Sequence, residues 1–172
     1  MALCLEDLYN SMYAEVFPAN NISSYIISRL FYEAHIYRAL DDRMHDVWGA
    51  HTVLREIEDG KRLAIGVYRK SDDALVGLTH GLIIPDTMEA HILLKRKTDG
   101  LSALNLCMDK CREFYKENNI PLKRFIGKVA DNNRPAKLLL LRAGYADRGI
   151  IENDFFVSFG KNLPCRFFEK EI

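Results

Sequence analysis

Hydrophobic positions in the first third of the chain recur mainly at helical intervals. Residues 5–16 read as a short helix, and Ser24 to Leu40 as a longer one with Ile26, Ile27, Leu30, Phe31 and Ala34 on one side, with a strand near His35 to Leu40 as the other reading. Trp48 to Ile57 gives a further helix, closed by the turn signal Asp59-Gly60. The period then changes. Leu63, Ile65 and Val67 alternate with smaller or polar neighbours, Ser71-Asp72-Asp73 turns the chain, and Ala74 to Ile84 completes a β-hairpin pattern. Pro85-Asp86 interrupts it, and Met88 to Leu94 resumes as one strand before the basic loop Lys95 to Gly100.

The clearest helix follows, with Leu101, Leu104, Cys107, Met108, Cys111, Phe114 and Tyr115 at helical spacing and Asn105, Asp109, Arg112 and Lys116 on the other face. After Pro121 the pattern predicts a strand over Phe125 to Ala130 and a helix from Pro135 to Arg142 that stops at Gly144. A final hairpin pairs Ala146 to Ile151 with Phe155 to Phe159 around Glu152-Asn153-Asp154, and 161–172 reads as an aromatic tail. Strand, helix, strand in the middle predicts a parallel crossover, and the flanking hairpins supply antiparallel strands. The expected fold class is therefore α/β with a mixed, mostly antiparallel sheet. With no repeat or linker-like stretch, residues 1–172 read as a single domain: a helical part over 1–60, a sheet-forming part over 61–160 and the tail.

Composition narrows the partners. The 172 residues are 48% hydrophobic with no net charge, enough for one buried core and no global field for nucleic acid or membrane. Charge is uneven all the same: residues 1–86 hold 8 basic and 13 acidic side chains, and residues 87–172 hold 16 and 11. An anionic ligand is expected on the C-terminal half. Cys107 and Cys111 lie one helical turn apart on an apolar face with no second His or Cys pair of suitable spacing, so buried thiols are expected rather than a metal site. No secretory signal or membrane-spanning run is visible, which predicts a cytoplasmic protein.

Two segments carry candidate chemistry. A coenzyme pyrophosphate needs backbone N–H groups at a helix start, small residues that let it approach, and nearby cations. The run Lys95-Arg96-Lys97-Thr98-Asp99-Gly100-Leu101-Ser102-Ala103 supplies all three, although taken alone it also describes a solvated basic turn capping a helix. Asp131-Asn132-Asn133-Arg134-Pro135-Ala136, followed by Gly144-Tyr145, has a capping Asn, a first-turn Pro and a terminating Gly.

Together these segments resemble the GNAT N-acetyltransferase superfamily over about residues 62–160. Its loop pattern of Arg or Gln, two residues, Gly, one residue, then Gly or Ala is matched by Lys97, Gly100 and Ser102. Its pattern of Asn, two residues, Ala, seven residues, Gly-Phe is matched by Asn133, Ala136, Gly144 and Tyr145. The resemblance implies acetyl-CoA as co-substrate, with the Gly100 and Ser102 loop amides on the pyrophosphate and Lys95, Arg96 or Lys97 offsetting its charge. Asn133 would face the coenzyme arm, and Leu94, Leu101, Ala136 and Leu140 would complete the coenzyme site. The thiolate's usual acid, a tyrosine, is matched here by Leu140, which has no proton to give. Tyr145 takes the place of a packing aromatic and is expected in the core.

For a base, Glu89 and His91 are two residues apart on one strand and share a face, which is either the substrate cleft or plain solvent. His80, on the preceding strand, reads as a surface or core-edge residue. Two functions remain open. The first is acetyl transfer to a small-molecule or protein amine by direct attack. The second is a binding or assembly protein of the same fold with catalysis reduced, as in GNAT-like proteins of tailed phages, including those linked to head assembly; its place would be the host cytoplasm or the virion. Neither reading involves nucleic acid or membrane.

Overall fold

A computed structural model describes residues 11–17, 47–89, 91–95, 98–158 and 161–172. The predicted helix over Ser24 to Leu40, or strand near His35 to Leu40, lies outside the described residues, as do Cys4, Arg96 and Lys97. The described residues form two four-stranded sheets and three helices. One sheet runs β1 (Met12–Val16), β2 (Arg62–Arg69), β3 (Ala74–Leu82) and β5 (His91–Leu94), all antiparallel. In the other, β4 (Asp86–Glu89), β6 (Leu122–Ala130), β8 (Lys161–Glu171) and β7 (Ala146–Ser158) lie side by side in that order. Only β4 with β6 is parallel among these pairs, which is the predicted crossover through α2 (Gly100–Glu117). The mixed α/β class holds.

Four expectations are corrected. Residues 12–16 form strand β1 rather than the end of a helix, because Met12 and Ala14 face one way and Tyr13 and Glu15 the other when laid against β2. The single strand expected over Met88 to Leu94 is two: β4 and β5 follow one another with only Ala90 between them, but hydrogen-bond into different sheets. The hairpin expected at Glu152-Asn153-Asp154 is a bulge inside β7, where Asn153 takes φ 61° and the register slips between Ile151 and Phe155. Turn chemistry was thus used to bend a strand, not to reverse it. Residues 161–172 are no tail: residues 161–171 form β8, between β6 and β7.

The core has two parts. On one face of the sheets, α2 seats Leu104, Cys107, Met108, Cys111 and Tyr115 against Ile65, Val67, Met88, Phe125 and Phe168, each almost wholly excluded from solvent. On the other face, α1 (Val47–Glu58) places Val53 and Ile57 over Ala64, Leu78 and Leu93. Both thiols on α2 pack as expected: burial pushes Cys107 up to about 12 and Cys111 higher still. Tyr145 is buried too, its hydroxyl 3.5 Å from the Met108 sulfur. No described helix is long and apolar enough to cross a membrane.

Gly81 makes the junction of β4 and β5 possible. A Cβ there would stand 2.2 Å from the Glu89 carbonyl oxygen, so any side chain would push the β4 backbone away from β3. Gly81→Ala is expected to cost about 1–3 kcal/mol through this overpacking. Phe168→Ala, which empties a fully buried site on β8, is expected to cost about 3–5 kcal/mol. Urea unfolding reads both, and a Phe168→Ala chain as stable as the parent would contradict the placement of β8 in the core.

Candidate functional site

The site begins where hydrogen bonding changes hands. β4 pairs with β6 as far as Glu89 opposite Ile126; from His91 onward the chain pairs with β3 instead, His91 lying opposite His80. Beyond that point β5 and β6 part, and a wedge opens between the sheets. Side chains alternate across a strand, so Glu89, His91 and, from β6, Lys128 project on the α1 side. Leu94, at the end of β5, lies on the α2 side.

On the α1 side Glu89 and His91 come together. His91 Nε2 is 3.9 Å from Glu89 Oε1, and Lys128 Nζ is 3.8 Å from the same oxygen and 3.3 Å from Asp154 Oδ2. One amine could thus reach both the carboxylate and the imidazole. His91 also stacks on His80 with ring centroids 5.2 Å apart. His80 is fully buried, which corrects the surface or edge placement. Its Nδ1 lies 3.0 Å from the Arg62 guanidinium, which only donates, so Nδ1 accepts and the ring proton belongs on Nε2. Glu56 of α1 holds Arg62 in turn at 2.7 Å.

The surroundings keep both imidazoles neutral. Burial lowers His80 well below its ordinary range, reinforced by His91 and Arg62. Burial also lowers His91, with Arg62 and Lys128 acting the same way and Glu89 opposing them. Lys128 goes the other way: burial disfavours its charge, but Glu89 and Asp154 outweigh burial and hold the ammonium charged. Cys165 lies buried nearby on β8, its thiol pushed up to about 11 by burial first and then by Asp154, so it is an inert thiol.

On the α2 side the expected coenzyme residues gather in part. Gly100 opens α2, and a Cβ on it would touch Leu139 and Leu94 at 3.4 Å; Leu140 of α3 (Arg134–Arg142) lies over Gly127 of β6 in the same way at 3.2 Å. Leu94 and Leu139 thus meet at Gly100, while Leu140 packs on β6 at Gly127. Asn133 caps α3 by accepting from the Ala136 N–H at 3.2 Å, so Ala136 is placed by Asn133. Asp131, just before the cap, is gripped by Arg166 of β8 at 2.6 Å, which ties this loop to the second sheet. The Lys95 N–H is committed to the Val76 carbonyl at 2.9 Å, and Lys95 closes the strand rather than reaching outward through that donor.

The start of α2 carries its own cap. Asp99 is its N-cap: one carboxylate oxygen accepts from the Leu101 N–H at 3.2 Å and the other from the Ser102 hydroxyl. Ser102 is buried and its hydroxyl is taken up by Asp99, so a carboxylate stands at the helix start where an anion was expected. Asp at such a position is a strong capping residue, so this signal was present in the sequence. Lys128, Asp154 and Arg62 had none, because their places depend on strand register.

A pH dependence follows from the histidine pair. The buried rings take up protons less readily in the folded chain than in the unfolded one, so below the ordinary histidine pKa of 6.5 the unfolded state binds more protons. Stability is therefore full above that pH and falls as acid is added. Thermal melts between about pH 7 and pH 5 should show the loss, since carboxylate effects lie lower. The slope should shrink in His80→Asn; an unchanged slope would mean that His80 is not held neutral.

No family model matches the sequence, and no curated protein matches it. Solved structures do match its fold. Spermidine N-acetyltransferase from Vibrio cholerae, in complex with CoA and spermine, superposes with TM-score 0.72 at 13% identity, covering 94% of this chain and 96% of that one. The microcin C7 self-immunity acetyltransferase, in complex with acetyl-CoA and AMP, gives 0.69 at 14% identity and 93% of each chain. A Salmonella typhimurium acetyltransferase that modifies the N-terminal serine of ribosomal protein L7/L12 gives 0.70 at 10% identity, covering 96% and 97%. With strands that part after Glu89 and a capped helix on either side of β6, the chain has the GNAT N-acetyltransferase fold.

Proposed function

We propose that this chain is an acetyl-CoA-dependent N-acyltransferase in which an amine attacks the thioester directly at the wedge between β5 and β6. The parting of the chain from β6 after Glu89 is the observation that carries the reading. A linear arm containing amides suits such strand edges, because it can hydrogen-bond to backbone as an added strand does. Leu94, Leu139 and Leu140, all partly buried on the α2 side, offer it apolar surface. Glu89 and the uncharged His91 stand at the far side of the wedge, within reach of one amine, and fit the role of base. Acetyl transfer supplied by the coenzyme needs no other reactive group than the amine and that base.

The similar structures support the same ligand class: two hold CoA or acetyl-CoA. Their acceptors differ, from spermidine to a protein's N-terminal serine. An amine acceptor, small or protein-borne, is the matching proposal here. Titration calorimetry with acetyl-CoA should give saturable binding, and a coenzyme at about 100 times its Kd should add about 2.7 kcal/mol of stability. No stabilisation at millimolar coenzyme would overturn the reading.

A second reading, the same fold kept for binding a partner with catalysis reduced, is favoured by Asp99. Its carboxylate occupies the α2 N-terminus that the pyrophosphate would approach, and Leu140 leaves the thiolate without the usual acid. Removing that charge while keeping the cap separates the two. Under the enzyme reading, Asp99→Asn should tighten acetyl-CoA binding by a few-fold, about 0.5–1 kcal/mol. Unchanged or absent binding in both forms would favour the partner reading.

A further inference from the structure

We propose that Lys128 is an internal acceptor, so that the chain acetylates its own Lys128 side chain. The inference rests on the coenzyme reading above. Lys128 Nζ is an amine already placed at the mouth of the wedge, 3.8 Å from the Glu89 carboxylate, which also has His91 at 3.9 Å. It projects from β6 just beyond Ile126, the last residue of β6 opposite β4, on the face where the acceptor would stand. Asp154, 3.3 Å away on β7, holds the ammonium from the other side. The side chain is one-third exposed, so the amine is supported yet not sealed in.

The step balances with acetyl-CoA as the only co-reactant. Glu89 takes one proton from the ammonium, and the freed lone pair on Nζ forms a bond to the thioester carbonyl carbon. The carbon–sulfur bond breaks, its electron pair leaves with sulfur, and the second proton lost from nitrogen makes the free thiol. The products are an amide on Lys128, the coenzyme thiol and one proton passed from Glu89 to solvent. Since Glu89 and Asp154 keep Lys128 charged at rest, the reaction depends on Glu89 as base. Acetylation removes the charge and with it both ion pairs, freeing Glu89 and Asp154 to receive a cationic amine from outside.

The test is peptide mapping by mass spectrometry of the full chain, as purified from cells and after incubation with isotopically labelled acetyl-CoA. Calorimetry on the same sample reports whether the coenzyme binds. Label concentrated at Lys128 and absent from the well-exposed Lys123, in the folded chain but not in the urea-unfolded one, is the expected result. Glu89→Gln should slow labelling by roughly 100-fold. Coenzyme binding with Lys128 unmodified would overturn this inference and leave the coenzyme reading standing. Equal labelling of Lys123 and Lys128, or labelling that survives unfolding, would also overturn it, because that is unassisted chemical acylation. Absence of coenzyme binding would overturn both. Mapping assigns the residue in the parent chain, so the result does not depend on a variant folding.

Discussion

β4 and β5, consecutive in the chain, must satisfy their backbone hydrogen bonds in two different sheets, and the rest of the structure is arranged around that demand. β4 finds its partner in β6 and β5 finds its partner in β3, so the two sheets are joined by continuous chain but diverge beyond the join. An unpaired buried backbone group is costly, which makes a clean handover at Glu89 the stable solution. Gly81 lets β3 approach the Glu89 carbonyl, and the fully buried Met88 anchors the approach from the core side. Divergence then opens the wedge without any special loop.

Electrostatics divide along the same line. The α1 side carries a connected set of ionisable groups, from Glu56 and Arg62 through the stacked histidines to Glu89, Lys128 and Asp154. Two imidazoles are kept neutral there while one ammonium is kept charged, by burial in the first case and by two carboxylates in the second. The α2 side carries the Asp99 cap at its helix start and, farther along, the ion pair of Asp131 with Arg166.

Much of this was legible in the sequence where a pattern is local. The stripe from Leu104 to Tyr115 predicted α2, and Asn133, Pro135 and Gly144 marked both ends of α3, because caps and periodicity act within a few residues. Glu89 and His91 could be paired from their spacing alone. What depended on register was hidden. Alternation across Met88 to Leu94 looks the same whether one sheet or two receive it, so the change of sheet between β4 and β5 left no mark. Asn153 tolerates positive φ equally in a hairpin turn and in a bulge, and only pairing with β8 decides between them. β8 itself was obscured by Pro164 and its charged flanks, although Phe168 within it is as buried as any residue in the chain. Lys128 reaches Glu89 through the parallel pairing of β4 with β6, which no short window contains.

The central claim is that the wedge between β5 and β6 receives the acyl group of a coenzyme. A crystal structure of the chain grown with acetyl-CoA tests it most directly. The account predicts the coenzyme arm lying between β5 and β6, against Leu94, Leu139 and Leu140, with its thioester carbonyl carbon facing Glu89, His91 and Lys128. Coenzyme bound elsewhere on the chain, with the wedge closed by its own side chains, would contradict it.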